Sequence, residues 1–154
     1  LKEASLLKDL CDRYQVPLII NDRPDLAKKS GASGVHVGLS DMGIQKARKL
    51  LGEDFIIGGS AHNVEEALAA EAAGADYLGC GAVFGSTTKT NVTQLPVETL
   101  KAICKAVKIP VVAIGGVNSD NLPILAGAAV VGGLFKPTDK AAAVRRFLTQ
   151  LKAI

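Results

Sequence analysis

The sequence predicts an α/β fold built as a TIM-type (β/α)8 barrel, and three observations lead there. Short apolar, β-branched runs alternate with helical patterns from start to finish, which implies right-handed βαβ units and a parallel sheet. Polar residues follow almost every run, and chemistry spread over many strand ends is the habit of barrels. The G-x-G-x-x-G fingerprint of an open dinucleotide-binding sheet is absent. Six units are visible where a closed barrel of this type has eight, so two are missing.

Leu1 to Tyr14 reads as a helix. The strand candidates are Pro17-Ile20, Gly34-Val37, Phe55-Ile57, Tyr77-Cys80, Val111-Ile114 and Ala129-Val131. Each is brief, nearly continuous in apolar residues and followed by Gly, Asn, Ser or Asp, the pattern of a strand buried on both faces. A helix containing Ala47 and Leu50 follows the second strand. Asn63 can cap a helix beginning at Val64, where Glu65 and Glu66 meet the positive end of the helix dipole, and Gly74 stops it. Pro96 to Val107 is amphipathic, and Pro110 forces the chain out before the next strand. Lys140 to Lys152 is the closing helix of a single barrel domain over residues 1–154.

Hydrophobic residues make up 48% and charged residues 21%, a globular composition. A net charge of +3 with scattered basic residues argues against a nucleic-acid partner. No apolar run approaches the roughly 20 residues that span a bilayer, so no membrane role is expected. Three cysteines without metal-like spacing suit a reducing, cytoplasmic compartment.

The strand ends carry the candidate chemistry. Asn21-Asp22-Arg23 follows the first visible strand, and Gly38-Leu39-Ser40-Asp41-Met42 follows the second. Local readings exist for both, an Asx turn for Asn21 and Asp22 and a helix cap for Ser40 or Asp41. One Asp at each of two adjacent strand ends also places two carboxylates on one side of a barrel mouth, where hard oxygen ligands suit Mg²⁺ on a phosphorylated substrate. Gly58-Gly59-Ser60-Ala61-His62 reads as a loop in which glycines admit a ligand and Ser60 offers a compact hydrogen bond. His62 reads as structural or capping, and His36 as a buried, hydrogen-bonded core residue. Ser86-Thr87-Thr88-Lys89 combines three hydroxyls with a cation suited to phosphate, although solvated loops share that composition. Gly115-Gly116 and Gly132-Gly133 follow the last two strands and expose backbone N–H groups, a frequent phosphate seat in barrels.

Taken together, these stretches resemble the thiamine-phosphate synthase family. The resemblance is carried by Pro17 to Arg23, Gly34 to Gly38, Ser40-Asp41-Met42, Ser60-Ala61-His62, Gly74 to Tyr77, Gly81 to Phe84, Thr88-Lys89 and Val111 to Asn118. It implies a transferase that couples hydroxymethylpyrimidine diphosphate to thiazole phosphate, giving thiamine phosphate and pyrophosphate. It further implies Asp22 and Asp41 as Mg²⁺ ligands, with Asn21, Ser60 and Lys89 contacting the departing diphosphate as the catalytic set. Ser86, Thr88, Gly116 and Gly132 would hold the thiazole phosphate. The implied partners are these two small molecules, and a homo-oligomer is compatible with the sequence.

The departures are specific. The family carries two βα units ahead of the first strand seen here, the second with a Gln-x-Arg-x-Lys-like diphosphate clamp. It also has several more residues near Gly127-Ala128. Both absences are expected to reflect a longer protein rather than deletions, since deletion leaves strand edges and apolar faces uncovered. Gly132 stands where the family often has Ser. A thiazole tautomerase-like isomerase and a non-catalytic thiazole-phosphate-binding remnant are the alternatives. Asp22, Asp41 and Lys89 argue against the first, because ring isomerisation needs no metal-bound diphosphate.

Overall fold

The computed structural model describes residues 1–38, 43–85, 93–122 and 127–151. In chain order its elements are α1 (Lys2–Arg13), β1 (Ile19–Asn21), α2 (Pro24–Ser30), β2 (Gly34–Val37), α3 (Ile44–Leu51), β3 (Ile56–Ala61) and α4 (Val64–Ala72). They continue with β4 (Tyr77–Gly81), α5 (Val97–Ala106), β5 (Val111–Ile114), β6 (Ala128–Ala129), α6 (Gly132–Phe135) and α7 (Lys140–Leu151).

The strands pair in parallel and in sequential order, β1-β2-β3-β4-β5-β6, as one six-stranded sheet. This corrects the expected (β/α)8 barrel. Among the described residues β1 and β6 stand at opposite edges and do not bond to each other, so the fold is an α/β half-barrel rather than a closed ring. Closure couples strand number, tilt and stagger. Six strands in this order make an arc.

The arc has two unlike faces, although β2, β3 and β4 are buried or half-buried at every position. Right-handed crossovers between sequential neighbours put the helices on one side. Val35, Val37 and Ile57 turn to that side and pack with Ala27, Ala47 and Leu51 from α2 and α3. Ala61, Leu78, Cys80 and Ala113 do the same against Ala67 and Ala70 of α4 and Leu100 and Ile103 of α5. Alternate residues point the other way. His36, Ser60 and Tyr77 are only half-buried, and Ile114 is 42% exposed.

Local chemistry explains several element ends. The Asn63 side chain accepts a hydrogen bond from the Glu66 N–H at 2.8 Å, the expected cap of α4. Pro24 opens α2 at a position whose N–H would lack a helical partner. The cap of α3 is Gly43, while Ser40 and Asp41 lie outside the described residues. Residues 123–126, next to the expected gap at Gly127-Ala128, also lie outside them.

β3 runs longer than expected, because Gly58-Gly59 belongs to the strand and not to a loop. A Cβ on Gly58 would stand 2.2 Å from the Tyr77 ring. The glycine is there to let that ring lie across the strand.

Candidate active site

A parallel sheet brings all its strand C-termini to one rim, so residues far apart in sequence share a neighbourhood. Asn21 ends β1 and Asp22 follows it, both exposed. Asp22 holds φ 59°, a left-handed conformation uncommon outside glycine. Its N–H donates to the His36 carbonyl at 2.8 Å, and its carboxylate accepts a hydrogen bond from the Asn21 side-chain amide. The turn therefore holds the carboxylate at the rim in a conformation that costs energy, a feature common at functional sites. Arg23 is turned aside, with Nε and Nη2 each 2.8 Å from an Asp25 oxygen. That guanidinium lowers the Asp25 carboxyl to about 2.

Strand register sets the next row. Asn21 pairs with His36, His36 with Gly58, and Gly58 with Tyr77. These four residues line up across β1 to β4 on the face away from the helices. Ser60 lies two residues beyond Gly58 on β3, and therefore on the same face and nearer the rim.

The side chains in this region are bonded to one another. His36 Nδ1 lies 3.1 Å from the Tyr77 hydroxyl, and His36 Nε2 lies 3.1 Å from Ser60 Oγ. Burial lowers the His36 pKa below its ordinary value, against an opposing pull from the Asp22 carboxylate. Burial also raises the Tyr77 phenol. His36 is thus hydrogen-bonded as expected, but it stands half-buried on the site face instead of in the core. Neither His36 nor Tyr77 was among the expected site residues. The period-two alternation around Val35 and Val37 was the available signal for His36.

Of the other expected residues, Gly116 and Gly132 are among the described ones. Gly116 follows β5 with φ 64°, and its carbonyl accepts from the amides of Asn118 and Asn121 at 3.4 and 3.1 Å. Gly132 opens α6 and lines a cavity of about 500 Å³ with Asn118, Ser119, Gly133, Lys136 and Arg146. Val83 and Phe84 donate backbone N–H groups to the carbonyls of Ile114 and Gly115, which ties the loop after β4 to the end of β5. Asp41, Ser86, Thr88 and Lys89 lie outside the described residues. His62 bonds to Glu66 in the first turn of α4, as the structural reading of it supposes.

Among the described residues no group of three or more His, Cys, Asp or Glu could hold a metal ion. Of the expected Mg²⁺ pair, Asp22 is the member among the described residues, and its exposed hard oxygens suit that ion. No helix among the described residues is long and apolar enough to cross a membrane.

Comparison with known proteins gives a consistent result. Residues 1–134 match the family model described as thiamine monophosphate synthase. A thiamine-phosphate synthase of Fusobacterium nucleatum is 46% identical over 152 residues, covering 96% of this chain and 74% of that protein. One from Lacticaseibacillus paracasei is 46% identical over 156 residues, covering 98% of this chain and 73% of the relative. The chain therefore spans about three quarters of these relatives. Among solved structures, a thiamine phosphate pyrophosphorylase from Pyrococcus furiosus superposes with a TM-score of 0.90 at 35% identity, covering 99% of this chain and 75% of that one.

Proposed function

The chain belongs to the thiamine monophosphate synthase family, and from that membership we propose that it transfers a pyrimidine-methyl group from hydroxymethylpyrimidine diphosphate to thiazole phosphate. The products are thiamine phosphate and pyrophosphate. The observation that carries the reading is that Asn21 and Ser60 share the sheet face that the helices leave uncovered, with Asp22 following Asn21 at the end of β1.

In the proposed reaction the methylene C–O bond breaks first, and the oxygen keeps the electron pair as pyrophosphate departs. The thiazole nitrogen then forms the new C–N bond at that carbon. Such a step needs negative charge stabilised on the leaving group and a nucleophile held within reach, and little proton transfer. Asn21 and Ser60 supply hydrogen-bond donors to the diphosphate, and Lys89 supplies a positive charge. Asp22 and Asp41 would hold Mg²⁺, which would supply positive charge to offset that of the leaving group.

Ser86, Thr88, Gly116 and Gly132 hold the thiazole phosphate. The cavity beside Gly132 supports that assignment, because its lining brings Lys136 and Arg146 against the single carboxylate of Asp139. We place the enzyme in the cytoplasm as one domain over residues 1–154, in keeping with three free cysteines.

The experiment is pyrophosphate release from the two substrates with and without Mg²⁺. Turnover that requires both substrates and the metal supports the reading. Rearrangement of thiazole phosphate alone, or binding without turnover, removes it.

A further inference from the structure

We propose that Tyr77 and His36 are positioning residues that fix the direction in which the Ser60 hydroxyl gives its proton. The inference rests on Ser60 being a donor to the departing diphosphate. Its own basis is the hydrogen-bonded chain across three strands, Tyr77 on β4, His36 on β2 and Ser60 on β3.

A neutral imidazole has one N–H donor and one acceptor nitrogen, so this chain has two arrangements. In the first, the Tyr77 hydroxyl donates to His36 Nδ1, and the Nε2–H then donates to Ser60 Oγ. The Ser60 proton is left pointing outward, available to a phosphoryl oxygen. In the second, Ser60 spends its proton on Nε2, Nδ1–H donates to the Tyr77 oxygen, and Ser60 turns a lone pair outward. Only the first suits an anion, because a lone pair facing a phosphoryl oxygen is repelled. A phenol is also a stronger donor than an aliphatic alcohol, which favours the first arrangement before any ligand arrives.

The backbone is shaped for this contact. Gly58 stands between His36 and Tyr77 in the strand register, so nothing on β3 blocks the bond that crosses it. A Cβ at Gly79, the register partner of Ser60, would lie 3.0 Å from the His36 ring. Gly58 thus leaves room for the Tyr77 ring and Gly79 for the imidazole, so the two side chains can meet above β3.

The test is a double-mutant cycle on pyrophosphate release, with Ser60→Ala, Tyr77→Phe and the pair. Ser60→Ala should lower kcat on the order of 100-fold, as loss of one donor to developing charge does. Tyr77→Phe should lower kcat roughly tenfold with KM for thiazole phosphate unchanged, and the double variant should be no slower than Ser60→Ala alone. Losses that multiply in the double variant, or a Tyr77→Phe enzyme at the parent rate, overturn the inference and leave the diphosphate role of Ser60 standing. A parent rate in Ser60→Ala instead removes that role.

His36→Gln and His36→Leu extend the test should Tyr77→Phe fold poorly. The amide of His36→Gln can donate to Ser60, so it should retain several-fold more activity than His36→Leu. Equal rates in the two overturn the inference.

Discussion

Asp76 joins two layers of the fold through one oxygen, which lies 2.8 Å from Arg48 Nη2 on α3 and 2.7 Å from the backbone N–H of Ile57 on β3. Arg48 also donates to the carbonyls of Phe55 and Gly74, at 2.7 and 3.0 Å. The pair thus anchors α3 to the turns that lead into β3 and β4, at the end of the sheet opposite the site. Asp76→Ala leaves the Ile57 N–H without its side-chain partner and should cost about 1–3 kcal/mol. Urea unfolding should show a lower midpoint with an unchanged slope. An unchanged midpoint would mean water replaces the carboxylate without loss.

Asp22→Asn separates charge from backbone shape. Asparagine tolerates the left-handed conformation that Asp22 adopts, so the turn should survive. Turnover should fall on the order of 100-fold or more, because a charge contact worth several kcal/mol is lost. Pyrophosphate release measured across a Mg²⁺ titration, with thermal unfolding alongside, checks this. A near-parent rate would remove the metal assignment, and the same holds for Asp41→Ala.

Lys89→Ala should slow pyrophosphate departure more than it weakens thiazole-phosphate binding. Single-turnover kinetics report the first and calorimetry the second. Equal effects would mean that the assignment of Lys89 to the departing diphosphate is wrong.

Burial pushes the Cys80 thiol up to about 11, with Cys104 and Glu66 adding to the rise. A raised thiol pKa means the unreactive protonated form dominates below it, so Cys80 should resist iodoacetamide at pH 8 until the protein unfolds. Cys104 is exposed and should label in the native state despite a smaller rise from partial burial. Peptide mass spectrometry after timed labelling reads both.

Much of this fold is legible in the sequence because it rests on local patterns. Gly34–Val37 and Val111–Ile114 match their expected bounds, since runs of β-branched residues between turn formers leave little choice. β3 was harder. Gly58-Gly59 looks like a loop until the Tyr77 ring lying against Gly58 is known, and that contact spans 19 residues of sequence. Closure is illegible for a related reason. Alternation counts crossovers, whereas a hydrogen bond between first and last strands has no local signature.

The site was legible in the same uneven way. Asn21, Asp22 and Ser60 stand at or near strand ends, where polar residues after apolar runs attract attention. Tyr77 begins its strand instead of ending it, and its link to Ser60 passes through a histidine two strands away from it. Only the register of β2, β3 and β4 brings the three together.

The alternation along β2 has a consequence for how this protein tolerates change. Val35 and Val37 serve the oily layer, and His36 between them serves the chemistry. One residue inserted into or deleted from that strand would exchange the two duties, sinking the imidazole beneath α2 and α3 and presenting valine to the ligand. Length changes should therefore be confined to the connections between elements, while within the strands only replacements in kind are permitted.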